Sequence, residues 1–200
     1  MKKTILYLSL LVLLLLMGTP DARSQYEHKL SLNLGLGAMN PQNELTNYFS
    51  GGASIDGALH INFTKRFAMM LGVKYFSLPE LEGESSYDLY YNHFGVGIGF
   101  RLKLTRAKKF VPYLFVDTNI DFVSIAYDEY NYSGYDYVET FNPGVGLQPG
   151  GGLEWNFSDH LALYGQVSYL TYLLVFEEFN AQLTSFQLGI RFSFAKSKEL

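Results

Sequence analysis

Phe94-Gly95-Val96-Gly97-Ile98-Gly99-Phe100-Arg101-Leu102-Lys103-Leu104 sets a large apolar side chain at every even position and glycine or a cation at every odd one. Successive residues of a strand point to opposite faces, so one face of this segment is hydrocarbon and the other is small or charged. A soluble sandwich also alternates. It seldom does so for this long with charges on the face it would have to bury. Lipid on one side and a polar lumen on the other explain the pattern, and the segment reads as one stave of an outer-membrane β-barrel.

Seven further stretches alternate in the same way. Around residues 27–38, Leu30, Leu32, Leu34 and Leu36 take one face, and Ser31, Asn33, Gly35 and Gly37 the other. The second stretch, 52–63, sets Ile55, Leu59 and Ile61 against Ser54, Asp56 and His60; the third, 67–77, sets Phe67, Met69, Leu71 and Val73 against Lys74. The quoted stretch, extended back toward Tyr91, is the fourth. In the fifth, 110–125, Leu114, Val116, Thr118 and Ile120 alternate with Tyr113, Phe115, Asp117, Asn119 and Asp121. The sixth, 143–157, alternates Leu147, Leu153 and Trp155 with Gln148, Gly152 and Glu154, and Pro149 is expected to mark a bend or bulge. The seventh, 161–174, and the eighth, 183–194, continue with Tyr164, Gln166, Ser168, Gln187 and Arg191 on the inner face. Each stretch reaches the roughly 9–11 residues that a tilted membrane strand needs. An even count is what single-chain bacterial barrels require. The fold class is therefore all-β: an eight-stranded, antiparallel, up-and-down transmembrane barrel in the outer membrane.

The connections split by length and charge. Residues 64–66, 105–109 and 158–160 are short and carry Lys65, Arg66, Arg106, Lys108 and Lys109. Residues 39–51, 78–91, 126–142 and 175–182 are long and acidic, with no lysine or arginine. Outer-membrane barrels have short periplasmic turns and longer extracellular loops, which assigns the acidic ends to the outside.

Ahead of the barrel, Lys2 and Lys3 precede an apolar run from Ile5 to Met17, and Ala22-Arg23-Ser24 offers small residues for a cut. This reads as a cleaved signal peptide over 1–24, with the barrel domain over 25–200. The run is too short for a spanning helix, which takes roughly 20 residues. The chain has no cysteine, so disulfides and thiolate metal sites are excluded. Net charge is −4 and no exposed basic patch is expected, which argues against nucleic acid as a partner.

With the alternating strand 94–104, the Pro112-Tyr113 strand start after a basic turn, and the aromatic final strand Phe192-Ser193-Phe194, the chain resembles the small outer-membrane barrels of the OmpA/OmpX type. It is similar in particular to the barrel-only "outer membrane protein β-barrel domain" proteins of Gram-negative bacteria. The resemblance covers about 27–194, and Ala195–Leu200 after the final aromatic depart from it. It implies an outer-membrane location, contact with membrane lipids and lipopolysaccharide, passage through the barrel-assembly machinery, and a monomer. The tethering role of two-domain relatives is not carried over.

Two constellations stand out. The inward face holds Asp56, Asp117, Asp121 and Glu154 against Lys74, Lys103, Arg101 and Arg191. Eight strands enclose a space that side chains just fill, and unpaired buried charge is costly, so these eight are expected to form a pairing network that plugs the lumen. Arg101 and Arg191 are expected at its centre, with Asp117 and Asp121 as neighbours of Arg101. The second constellation is the segment carrying Tyr127, Tyr130, Tyr132, Tyr135 and Tyr137. Tyrosine suits a partner-binding surface, and it equally suits strand extension and an interfacial belt. The loop acids could bridge lipid phosphates through Ca²⁺ or Mg²⁺, or simply be solvated.

No catalytic role, cofactor or metal site is expected. Of the histidines, His28 and His160 fall near the short-turn end and His60 points inward. Only His93 falls near the outer rim, within reach of Ser85, Ser86 and Asp88, and no nucleophile motif frames it. The expected role is structural or surface-interacting: envelope integrity, or adhesion through the loops to an unidentified extracellular ligand. Transport of small or hydrophobic solutes, and lipid modification, are the alternatives.

Overall fold

A computed structural model of the protein describes residues 30–81, 90–105, 109–131, 134–175 and 181–194; the signal segment and the Ala195–Leu200 tail lie outside them. Eight strands run β1 (Leu30–Gln42), β2 (Gly52–Asn62), β3 (Phe67–Pro79), β4 (Tyr90–Lys103), β5 (Phe110–Asn131), β6 (Gly134–Asn156), β7 (Leu161–Val175) and β8 (Gln182–Ser193). Each pairs antiparallel with its neighbours in sequence, and β1 pairs with β8 to close the barrel. A short 3-10 turn at Asn43–Asn47 follows β1.

Alternation sets the register. Leu34, Leu36, Ile55, Val73, Phe94, Ile98, Ile120, Leu153, Val167 and Leu188 are exposed, whereas Asn33, Ser54, His60, Arg101, Asp121, Glu154 and Ser168 are buried. Exposed hydrocarbon on every wall with buried polar groups is the reverse of a water-soluble protein, and it is the pattern of a barrel set in lipid. No helix among the described residues is long and apolar enough to cross a membrane; the crossing is made by strands. Aromatic pairs band the outer surface toward both ends, with Phe67 stacked on Phe100 and Phe110 on Trp155 toward one end, and Phe94 on Phe122 toward the other.

Two of the short turns are built by hydroxyls. Thr64 Oγ1 accepts from the backbone N–H of Arg66 and Phe67, and Ser158 Oγ accepts from those of His160 and Leu161. These bonds satisfy donors that the ladder leaves behind.

The interior is fitted by size across strands. Inward glycines of β4 lie opposite the polar side chains of β5, as Gly95↔Asp121, Gly97↔Asn119 and Gly99↔Asp117. On its other side β5 meets Gly152 opposite Tyr113 and Gly150 opposite Phe115. A methyl group added at Gly97 would meet the Asn119 carboxamide and come within 2.8 Å of the Thr118 carbonyl. Gly97→Val is therefore expected to overpack the lumen and destabilise the barrel by about 1–3 kcal/mol or more. Denaturant midpoints in detergent or bilayer check this, and unchanged stability would refute the inward placement.

Two strands outrun expectation. β5 and β6 continue to Asn131 and from Gly134, with pairs from Tyr127↔Val138 to Asn131↔Gly134 beyond Ala126, the last β5 residue paired with β4. Much of the segment read as a loop over 126–142 is thus a two-stranded ribbon standing about 17 Å past the closed wall, at ~3.4 Å per residue. Pro149 also behaves differently from its reading. It leaves pairs to β7 unmade but does not shift the register; the shift lies between Val145 and Gly146, opposite Tyr172 and Leu174. There Leu173 and Leu174 both face outward, the two-against-one count of a bulge.

Candidate functional site in the barrel interior

The lumen is filled in three layers. Nearest the short turns, Glu154 is wholly buried and gathers three cations. Arg101 Nη2 donates to Glu154 Oε2 at 2.5 Å, Arg191 Nη1 donates to the same oxygen, and Lys103 Nζ lies 3.3 Å from Oε1. Arg191 also donates to Asn156 Oδ1 at 2.9 Å, and the Arg101 guanidinium lies over the Tyr113 ring, 3.5 Å from its centre. One carboxylate among three cations leaves this layer with a surplus of positive charge.

In the middle layer, Lys74 donates to Gln148, whose amide donates to Ser168 Oγ at 2.6 Å. Tyr113 donates to Gln166, which donates to Gln187. Asp56, Asp117 and Asp121 lie within electrostatic reach of Lys74, and Arg101 joins Lys74 in facing Asp56 and Asp117 across the same space. A cavity of about 60 Å³ opens here, lined among others by Asn33, Asp56, Asp117, Asn119 and Gln148.

The third layer, under the long connections, is apolar. Met39, Phe76, Leu78, Tyr91, Val123, Ile125, Leu170 and Leu183 are buried together. Leu45 of the 3-10 turn and Phe49 beyond it, each 2% exposed, complete the cluster as a stopper in the mouth. Phe49 meets Tyr91 edge-on at 5.8 Å. The stopper is tied down by Ser50 N–H to the Pro79 carbonyl and Leu81 N–H to the Tyr48 carbonyl, each 2.9 Å, and by Asn43 donating to Gln182.

The eight charged residues singled out from the sequence all sit inside, but in two groups. Arg101 takes its carboxylate from β6 and not from β5; Asp117 and Asp121 lie with Lys74 instead. Arg191 shares that same carboxylate. Neither arginine is the centre: Glu154 is. His93 corrects the sequence reading in another way. It does not lie open at the outer rim but is fully buried, stacked on Phe76 at 4.2 Å, with Nε2 3.0 Å from Asp121 Oδ1. That contact is close but off the line of an ordinary hydrogen bond. His60 is buried near Arg101 and Arg191, and His160 is exposed with Nδ1 3.1 Å from the Ser193 carbonyl. Ser85, Ser86, Asp88 and His28 lie outside the described residues, as does Tyr132; Tyr127, Tyr130, Tyr135 and Tyr137 are placed in the ribbon by their backbone. Among the described residues no group of three or more histidines and carboxylates is arranged to hold a metal ion.

Sequence reasoning missed the apolar stopper. The signal was present in the parity: Met39, Phe76, Leu78, Val123, Ile125, Leu170 and Leu183 all fall on the inward face, and all at the long-connection ends of their strands.

The sequence profile described as "Outer membrane protein beta-barrel domain" matches residues 9–194. No curated protein matches the chain in sequence. Among solved structures, the Neisserial surface protein A is similar over 85% of this chain and 100% of its own, at 13% identity and a TM-score of 0.62. The outer membrane protein OprG from Pseudomonas aeruginosa is similar over 85% and 98%, at 10% identity and 0.57. The attachment invasion locus protein of Yersinia pestis, solved with the heparin analogue sucrose octasulfate, is similar over 84% and 100%, at 11% identity and 0.55. At such identities these likenesses speak to the fold.

Proposed function

The chain belongs to the outer membrane protein beta-barrel domain family, and from that premise we propose that it is a non-conducting barrel that works at its outer end. Its role is surface interaction and envelope integrity. The observation that carries this reading is the filled lumen. An ion would have to pass the Leu45–Phe49 stopper, a polar layer and the Glu154 cluster in turn. Aqueous channels belong to wider barrels of 16 or more strands.

The orientation is the family's: short turns in the periplasm, long connections outside. The β5–β6 ribbon then projects from the cell, carrying Tyr127, Tyr130, Tyr135 and Tyr137 together with Asp128, Glu129 and Asp136. Aromatic and acidic residues on a paired ribbon offer large contact area at low ordering cost, which supports partner or lipopolysaccharide contact there. The Yersinia relative's heparin analogue is a polyanion, and this ribbon, rich in acids, fits a different class of ligand. The orientation has a direct check. Cysteine at Asn131 should label in intact cells with an impermeant thiol reagent and cysteine at Ser158 should not; the opposite pattern would invert the assignment.

The apolar outer third favours one rival, passage of a hydrophobic solute, which requires the stopper to leave the mouth. Planar-bilayer recording tests the filled lumen. Wild-type barrel should carry no steady current, and Leu45→Ala/Phe49→Ala should stay closed to ions as well, because the polar layer and the Glu154 cluster still fill the lumen beneath. Steady current through the wild type would defeat the proposal. Lipid modification has less support, because His93 is sealed beneath the stopper with Asp121, away from lipid.

A further inference from the structure

We propose that the short-turn end of the barrel selects anionic phospholipid of the periplasmic leaflet, with the phosphate on Lys109 and Arg66 and the acyl chains on the aromatic rings beside them. It rests on the orientation given above and not on the surface-interaction reading.

Charge is the first argument. Lys65, Arg66 and Lys109 are exposed at this end, and among the described residues the only acid exposed there is Asp159. The cations deeper in the barrel, Arg101, Lys103 and Arg191, are committed to Glu154. The opposite end has the reverse character, since the long connections carry acids and no lysine or arginine. An anion in the membrane surface is therefore drawn to one end of the barrel only.

Adjacency is the second argument. Arg66 immediately precedes Phe67, which stacks on Phe100 at 5.5 Å and on Phe63 at 6.0 Å. Lys109 immediately precedes Phe110, which stacks on Trp155 at 5.8 Å, and Trp155 meets Phe157 at 4.2 Å. Both cations are fixed by backbone bonds to the neighbouring strand: Lys103 N–H donates to the Arg66 carbonyl at 2.7 Å, and Asn156 N–H to the Lys109 carbonyl at 2.9 Å. Phe63, Phe100, Phe110, Trp155 and Phe157 are all exposed on the lipid face. Such rings gather at headgroup level, so each cation stands where a strand leaves the hydrocarbon, at the depth of the phosphates.

That placement chooses the partner. A soluble acidic protein would meet the cations and leave the rings uncovered, whereas a phospholipid meets both at once. A zwitterionic headgroup brings its own ammonium, which offsets the attraction; a phosphatidylglycerol-type headgroup does not. Each lysine or arginine near the surface is expected to favour the anionic lipid about fivefold.

Trp155, the chain's single tryptophan, lies in the ring cluster beside Lys109 and reports on the site directly. The full mature chain is folded into phosphatidylcholine vesicles that contain a fixed fraction of brominated lipid, either phosphatidylglycerol or phosphatidylcholine. Brominated phosphatidylglycerol should quench the tryptophan emission more strongly, with a preference of about fivefold, and high salt should shrink the difference. Lys109→Gln/Arg66→Gln changes two exposed side chains and should lower the preference to about twofold or less, its fold verified by heat-modifiable gel migration. Equal quenching of the wild type by the two lipids would overturn the proposal and leave the basic turns to a soluble acidic partner. A full preference retained by the folded variant would overturn it too, since the anionic lipid would then be drawn elsewhere. Both leaflets carry the brominated lipid, so neither outcome depends on which way the barrel inserts, and the cysteine-labelling test of orientation stands apart.

Discussion

Replacing Glu154 with alanine is expected to cost the barrel about 3–5 kcal/mol, the range for breaking a buried ion pair by removing one partner. The reason is the sharing. Arg101, Arg191 and Lys103 all lean on this one wholly buried carboxylate, so its loss strands three cations at once. Arg101→Ala removes one partner and leaves Glu154 with two, so it should cost less, although Tyr113 also loses the guanidinium over its ring. Glu154→Gln keeps the shape and removes the charge, and should fall between wild type and Glu154→Ala. Reversible denaturant unfolding in lipid vesicles gives all three values. If Glu154→Ala proved no worse than Arg101→Ala, the carboxylate would not be the hub of the layer.

Arginine at Leu188 or Ile98 should cost about 2–4 kcal/mol, the penalty for a charge near the bilayer midplane on the lipid face of a barrel. Both residues sit near the middle of their strands and point away from the lumen; Leu188 is 74% exposed, paired with Leu36 on β1 and Gly165 on β7. Long side chains can bend toward the headgroups, so position along the strand matters. Arginine at Leu30, the first residue of β1, should therefore cost about 0–1 kcal/mol by comparison. The same vesicle-unfolding measurement decides it. Equal penalties at Leu188 and Leu30 would mean that the outer surface does not meet a bilayer in the way its exposure indicates.

These two sites also mark what the sequence could and could not disclose. Leu188 and Ile98 were readable because strand alternation depends only on neighbours along the chain. The pairing of Arg101 was not, because it depends on how staves lean in a closed barrel. Parity puts Asp117 beside β4, but Asp117 lies at the level of Gly99 while the longer arginine side chain reaches across to β6. The stopper was hidden for a different reason. Leu45 and Phe49 belong to a connection, where no period operates, and their partners are apolar residues on a face otherwise polar. The ribbon was legible only in part: the tyrosines allowed strand extension, but Gly134 and the acids around it carry a turn's composition, and it is pairing with β6 that carries β5 to Asn131. The tyrosines were legible as a cluster, but nothing in their spacing names what they contact.

The seam between β1 and β8 has a consequence in time. Ser31 lies against Ser193 and Gln42 against Gln182, so the first strand made by the ribosome waits for the last before its outer edge is covered. Contacts this far apart in the chain form slowly, because a long loop must close before they contribute anything. Until then β1 offers a bare row of amides and carbonyls, a template for any other strand it meets. A frameshift or stop codon ahead of Gln182 would leave seven strands that are each locally sound and a sheet with two open edges. Lipid cannot hydrate those edges, so such a chain has no stable place in the bilayer. Quality control of this protein is thus written into its connectivity: insertion waits on the final twelve-residue strand, from Gln182 to Ser193.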